Sequence, residues 1–407
     1  MLKKIPVSRL EPGMFVHELC GDWMSHPFWR AKFKLTGGDD LRRIVESGIQ
    51  HVYIDTDRGL DDQEAVAADV VQAAVEQEIV AAMSAPDDNL VRVSVREEMA
   101  RARKVHEQAH KVVRSMMGDV RLGKAVSLED AEPVVEAITS SVLRNSNALM
   151  GLTGIKNKDD YTFLHSVSVC TLMIAFGRSL GLAGEELRQG GIGGLLHDIG
   201  KMKVPDEVLN KPGRLTDAEF DLIKKHPGDG HAVLLETAGI GAVPLDITRH
   251  HHERLDGSGY PDRLAGDAIS VMARMAAIVD VYDAITADRC YHKGMPAAEA
   301  LRKMWEWSSA HFDQKLLQAF MRCVGIYPVG SLVRLESGRL GVVTEQNESS
   351  LLTPRVRTFF SPKSNGYIKP EVVDLGRKLG SSGGDRIVSA ETPDKWGVDP
   401  ARFLIAE

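Results

Sequence analysis

Apolar and polar positions change rhythm twice along this chain of 407 residues, and each rhythm predicts a different kind of structure. Over residues 1–60, short apolar runs such as Gly13-Met14-Phe15-Val16-His17 and His51-Val52-Tyr53-Ile54-Asp55 are broken by Pro12 and by Gly37-Gly38, the mark of strands separated by turns. Between those runs, Asp39 to Gly48 spaces its apolar residues as one short helix. Residues 61–125 are rich in Ala, Glu, Val and Arg, with apolar residues at helical spacing, and predict a long helical connector. Its heptads are not clean, so a plain linker and a lever or dimerising helix both stay open.

From Ser127 to about Val324 the pattern is helical throughout. Ser127-Leu128-Glu129-Asp130 and Thr216-Asp217-Ala218-Glu219 resemble capping boxes that open helices. Gly181 stands where a helix running through His165 to Leu180 should end. A second helix starts near Gly184-Glu185-Glu186, whose acidic first turn suits the positive end of a helix dipole, and ends around His197-Asp198-Ile199-Gly200. Ser270 to Ala287 predicts a third, carrying Asp280 and Asp283. After Pro328-Val329-Gly330 the rhythm changes again: Gly330 to Thr344 alternates apolar residues around Ser337-Gly338, as a β-hairpin does. The expected architecture is mainly α. A helical unit at 126–326 follows a small β-rich (α+β) unit at 1–60 and the connector at 61–125, and a small β-rich extension occupies 327–407.

Composition narrows the setting. No apolar run approaches the roughly 20 residues of a membrane span, and Met1-Leu2-Lys3-Lys4-Ile5-Pro6 has no apolar core behind its lysines, unlike a secretory signal. Cys20, Cys170, Cys290 and Cys323 are scattered, with no C-x-x-C pair, which reads as reduced thiols in a cytoplasmic protein. A formal net charge of −7 argues against a general nucleic-acid binder. An anionic substrate then requires positive charge concentrated locally, as metal ions would do.

The residues for that role are present. Leu195-Leu196-His197-Asp198-Ile199-Gly200-Lys201 puts a ligand pair at a helix end, beside a glycine that lets something approach closely and a lysine able to meet a phosphate oxygen. His226 precedes Pro227 and a glycine-rich turn, and His250-His251-His252-Glu253 runs into Asp256-Gly257-Ser258-Gly259-Tyr260-Pro261. Asp280 sits in the apolar setting Ile278-Val279-Asp280-Val281-Tyr282, where a carboxylate is destabilising unless a cation pairs with it. Imidazoles and carboxylates clustered in this way suit two transition-metal ions, and such sites hydrolyse phosphate esters.

In this order the motifs resemble the HD-GYP family of metal-dependent phosphodiesterases, a branch of the HD phosphohydrolases. The resemblance covers about residues 140–325, from Tyr161-Thr-Phe-Leu-His165 through His197-Asp198, His226-Pro227 and His251-His252-Glu253 to Asp280-Val-Tyr-Asp283 and Asp288-Arg289-Cys290-Tyr291. It implies an all-helical HD-type core that hydrolyses the bacterial second messenger cyclic di-GMP to pGpG and, in many members, GMP. Carried onto this chain, the metal ligands are His165, His197, Asp198, His226, His251, His252 and Asp280, with Asp198 bridging two ions, of which iron or manganese is the expected kind. A metal-activated hydroxide attacks phosphorus. Lys201 and Arg289 hold phosphate oxygens, and Gly259, Tyr260 and Pro261 shape the substrate rim, where members of the family meet diguanylate cyclase domains.

Two departures change the expectation. Some members place a glutamate four residues before the first His to help hold a third metal, and here that position is Tyr161, so two ions are expected. Where a Lys or Arg often binds phosphate three residues after Arg289, this chain has His292, which makes substrate affinity pH-dependent. Asp283 is expected to support a ligating His, Glu253 and Asp256 to fix the loop, and His250 to be a bystander. Two other functions stay open: an HD phosphohydrolase of another nucleotide, such as cyclic GMP-AMP or a mononucleotide, and a metal-bearing module that binds cyclic di-GMP or a cyclase without turnover. The N-terminal unit carries no aspartyl phosphorylation signature or cofactor motif and is read as regulatory.

Overall fold

The computed structural model describes residues 1–20, 32–82, 93–153, 161–211, 213, 215–287, 294–308, 310–347, 350–377 and 384–404. The N-terminal unit is one five-stranded antiparallel sheet: β1 (Leu2–Pro6), β2 (Phe15–Cys20), β3 (Phe33–Lys34), β4 (His51–Asp55) and β5 (Val66–Ala67), in the order β3-β2-β4-β1-β5. The period of two sends Val52 and Ile54 of β4 to one face, where they join Ile5, Val16 and Leu35 in a small core closed by Ile44 of α1 (Gly38–Glu46). Tyr53, between them, points the other way. β1 and β5 were not expected. Leu2-Lys3-Lys4-Ile5-Pro6 has no alternation to announce a strand, and its extended form comes from pairing with β4, Leu2 opposite Asp55 through Pro6 opposite His51.

Thirteen described α-helices follow the order of the chain to the end of the helical unit, counting α1. After α2 (Ala68–Ala82) and α3 (Val95–Arg121) come α4 (Leu128–Thr153), α5 (Tyr161–Ser179), α6 (Gly184–Leu196), α7 (Asp206–Leu209), α8 (Asp217–Ile223), α9 (His226–Leu235), α10 (Ala242–His250), α11 (Val271–Thr286), α12 (Ala297–Trp307) and α13 (Gln314–Val324). The capping box at Thr216 forms as expected. At Ser127 only the first half does, Asp130 N–H donating to Ser127 Oγ at 3.3 Å. Another box, unremarked in the sequence, opens α3, where Ser94 Oγ accepts from Glu97 N–H and the Glu97 carboxylate accepts from Ser94 N–H.

The connector is not free-standing. Met99, Ala102, Ala109, Val113, Met116, Met117 and Val120 of α3 are buried in the same core as α4, α5 and α6, so its apolar face is covered within the chain. Glu98 on that face is fully buried. Arg144 of α4 grips it with Nε and Nη2, each at 2.7 Å, and Ser141 Oγ donates at 2.8 Å.

α5 is buried on every side from Leu164 to Gly177, so it is the axis of the helical unit. Against it lies α6, whose glycines permit unusually close approach. A Cβ on Gly194 would come 3.1 Å from Cys170 Cα of α5, and one on Gly193 would come 2.5 Å from Ile247 Cδ1 of α10. The C-terminal extension is a second antiparallel sheet: β6 (Leu332–Leu335), β7 (Leu340–Glu345), β8 (Arg355–Ser361), β9 (Gly366–Asp374) and β10 (Ile387–Ala390), in the order β10-β6-β7-β8-β9. The expected hairpin is β6–β7, with Gly338 at φ +83° in its turn. Among the described residues no helix is long and apolar enough to cross a membrane.

Candidate metal centre

The close-packed helices each deliver a ligand type to one buried point. His165 comes from the second turn of α5, His197 caps the C-terminus of α6, and Asp198 follows in the turn to a short 3-10 helix at Ile199–Lys203. His226 opens α9, His251 and His252 follow the end of α10, and Asp280 lies on α11. All seven are buried. Gly200 explains how α9 reaches them: a Cβ there would stand 2.0 Å from the His226 carbonyl oxygen, so the turn after Asp198 rests directly on that backbone.

Two groups of donors face each other across Asp198. On one side, His165 Nε2 is 3.3 Å from His197 Nε2 and 2.9 Å from Asp280 Oδ1, and both imidazoles stand 3.4–3.5 Å from Asp198 Oδ2. On the other, His226 Nε2 is 3.2 Å from His251 Nε2, and these lie 3.3 Å and 3.8 Å from Asp198 Oδ1. His252 completes that second group. One carboxylate thus offers a different oxygen to each cluster.

The second ring nitrogens of four of the five imidazoles are engaged elsewhere. Nδ1 of His197 meets the Gly194 carbonyl at 2.9 Å, that of His226 the Ile223 carbonyl at 2.7 Å, and that of His251 the carbonyls of Ile247 and Thr248 at 3.1 Å and 3.0 Å. His165 Nδ1 meets Asp283 Oδ2 at 2.6 Å. Each acceptor fixes the proton on Nδ1, which leaves the Nε2 lone pair pointing inward, as a ligating imidazole requires. Asp283 therefore has the supporting place expected of it. Replacing it with Ala is expected to weaken Mn(II) binding by about 10–100-fold in a titration followed by calorimetry; unchanged affinity would show that His165 needs no such support.

Charge and burial agree with a cation at this point. Burial drives His251 down to about 3, helped by the neighbouring imidazoles, and holds His226 and His252 below their ordinary value, so all three are neutral donors. Burial also pushes His197 down, yet the Asp198 and Asp280 carboxylates outweigh it and lift its pKa to about 10. The two carboxylates demand positive charge. Asp198 Oδ1, Asp280 Oδ2 and His252 Nε2 are buried and make no hydrogen bond, and buried polar atoms of that kind are costly without a partner. This donor set fits divalent cations.

Around the centre, Lys201 Nζ lies 2.5 Å from Asp198 Oδ2. Gly259 is pressed against the ligand segment, since a Cβ would come 2.5 Å from Glu253 Cα, and the Tyr260 ring stacks on His252 at 4.8 Å. Tyr161 stacks on His165, their ring centroids 5.6 Å apart. Glu253 and Asp256 fix the loop as expected: Glu253 accepts from the N–H groups of Asp262 and Leu264, and Asp256 Oδ1 from Ser258. His250 belongs to neither ligand cluster and has a structural place instead. It bridges Asp246 at 2.7 Å and Asp262 at 3.0 Å, while Arg249 grips Asp262 with two bonds, so the pair ties the loop back to α10. Their sequence signal was hidden, because the acidic partner lies 12 residues away across an irregular loop. Arg289 and His292 lie outside the described residues.

Residues 2–131 match a family described as a domain of unknown function, DUF3391, and residues 151–316 match the HD domain. A cyclic di-GMP phosphodiesterase of Pseudomonas aeruginosa is 51% identical over 97% of this chain and 94% of that protein. The cyclic di-GMP phosphodiesterase response regulator RpfG of Xanthomonas campestris is 38% identical over 39% of this chain and 42% of its own length. A 3'3'-cGAMP-specific phosphodiesterase of Vibrio cholerae is 36% identical over 44% of this chain and 41% of its own length.

Proposed function

The chain belongs to the HD-GYP family of metal-dependent phosphodiesterases, and from that premise we propose that it hydrolyses cyclic di-GMP to pGpG, and on to GMP, in the bacterial cytoplasm. The observation that carries the reading is Asp198 set between one cluster of two imidazoles and a carboxylate and another of three imidazoles, with the near full-length likeness to the Pseudomonas enzyme supporting the substrate. His165, His197, Asp280 and Asp198 Oδ2 would hold one ion, and Asp198 Oδ1, His226, His251 and His252 the other. Two such ions, iron or manganese, supply the Lewis acidity that makes hydroxide available from water near neutral pH.

The chain's own residues do the rest. Imidazoles whose Nδ1 protons are fixed keep their donor atoms in place without reorganising. Lys201, beside Asp198, offers an ammonium to a phosphate oxygen and offsets the charge that builds as phosphorus is attacked. Arg289 and His292 serve the same phosphate, and Gly259, Tyr260 and Pro261 form the rim against which a guanine base lies. That rim is also the surface for a diguanylate cyclase domain. On this reading residues 126–326 are the catalytic unit, 61–125 join it to the regulatory unit at 1–60, and 327–407 are an extension.

The test is hydrolysis of cyclic di-GMP by protein purified without oxygen and supplied with Fe(II) or Mn(II), following pGpG and GMP by chromatography. Metal-dependent turnover supports the reading. Bound metal without turnover would leave a binding module in its place. The Vibrio relative gives a specific reason to include 3'3'-cGAMP in the substrate panel. Metal analysis is expected to find about two ions per chain, because a phenol at Tyr161 is a poor third ligand; a value near three would refute that count.

A further inference from the structure

The N-terminal unit reaches the substrate rim by two routes. The first is direct. The turn that ends α1 presses on the rim loop, where a Cβ on Gly48 would lie 3.1 Å from Ser258 Cβ and 3.4 Å from its Oγ. The second runs through α12. Tyr53 of β4 donates its hydroxyl hydrogen to Glu306 at 3.0 Å, and Glu18 of β2 pairs with Lys303, so the sheet is fastened to this helix by its outward face. Just past the end of α12, the carbonyls of Ala310 and His311 accept from the N–H groups of Asp256 and Leu255 at 3.0 Å and 3.3 Å. Those two residues begin the loop that leads to Gly259-Tyr260-Pro261.

The loop has little slack to absorb movement. Ser258 is tied to Asp256 through both its N–H and its hydroxyl, Gly259 rests on the Glu253 backbone, and Tyr260 stacks on His252. A displacement at Ser258 therefore reappears at the rim. On the opposite flank, Arg43 of α1 grips Asp217 with bonds of 2.9 Å and 3.0 Å at the start of α8, the helix whose last carbonyl, on Ile223, holds His226 Nδ1. One short helix of the N-terminal unit thus touches both sides of the centre, while the unit contributes none of the seven ligands.

We propose that the N-terminal unit is a brace for the substrate rim, in which Gly48, Tyr53 and Glu18 are positioning residues that set affinity for the cyclic dinucleotide. The proposal rests on the reading of the Gly-Tyr-Pro loop as the substrate rim. It separates two tasks in the fold. The helical unit holds the ions, and the N-terminal unit holds the loop that the nucleobase meets. A change in the N-terminal sheet then alters binding and leaves the reacting centre alone.

The test uses the full-length, metal-loaded protein and two substrates, cyclic di-GMP and the small diester bis(p-nitrophenyl) phosphate, which needs only the metal centre. In Gly48→Ala the new methyl group meets Ser258, and KM for cyclic di-GMP is expected to rise about tenfold, with kcat, bound metal and turnover of the small diester within about twofold. Adding Ser258→Gly removes the obstruction and is expected to recover most of the loss. Because a side chain at φ +75° strains the turn by itself, the second route is tested by Glu18→Lys and Lys303→Glu, each raising KM alone and restoring it together. An unchanged KM in Gly48→Ala and in Glu18→Lys, with wild-type turnover intact, overturns the brace alone. A parallel loss of metal and of both activities also overturns it, since that marks a folding defect. A wild type that cleaves the small diester and not cyclic di-GMP overturns the functional reading and the brace with it.

Discussion

Replacing Asp198 with Ala is expected to abolish cyclic di-GMP turnover, by about a thousandfold or more, and to lower metal content in the same preparation. The reason is its position. Its Oδ2 lies 3.4–3.5 Å from two imidazoles of one cluster and its Oδ1 3.3–3.8 Å from two of the other, so each oxygen faces a different cluster. Its removal also takes away the carboxylate that Lys201 pairs with and leaves the cluster with Asp280 and, on the far side of His165, Asp283. Elemental analysis beside a chromatographic assay checks both parts. A variant that keeps two ions and turns over within about tenfold of wild type would take Asp198 out of the bridging position.

Arg144→Ala is expected to cost about 3 kcal/mol, because the fully buried Glu98 carboxylate in the α3–α4 interface keeps only the Ser141 hydroxyl and, at 3.7 Å, the exposed Arg101. Replacing both partners with Met should cost far less, since an apolar pair leaves no charge to satisfy. Burial raises the Glu98 carboxyl, but Arg144 and Ser141 outweigh it and hold the group below its ordinary 4.5. A folded value below the unfolded one means that the contribution is complete above 4.5 and fades as the pH falls through the lower, folded value. Urea unfolding at neutral and acid pH measures both effects. Equal stability of the single and double variants would show that the stranded charge is not the cause.

Long helices with strong boundary residues were legible from the sequence, as α5, α6 and α11 illustrate. Period and capping are local properties that the chain states outright. β1 was hidden because its extended form depends on a partner 50 residues away, and the packing of α3 because burial of an apolar face is decided by what lies opposite. The seven residues that the structure gathers at one buried point were named one by one through their motifs. The arrangement around them was not legible: the Ile223 and Gly194 carbonyls carry no side-chain signature, and the tie from Arg249 and His250 to Asp262 exists only once the loop is closed. The contact between Gly48 and Ser258 joins two units whose sequences say nothing of each other.

Of the clustered imidazoles, His197, His226 and His251 are steered through Nδ1 by peptide carbonyls, and His165 by Asp283. A carbonyl belongs to every residue, so drift at Ile223, Ile247 or Thr248 does not delete the acceptor, although Gly194 has no room for a side chain against α5. The side-chain identity of the acceptor accordingly matters at one corner, where Asp283 holds His165. In a saturating mutational scan, vulnerability just outside the ligands should converge on Asp283, which makes that position the natural place for relatives to diverge in metal preference.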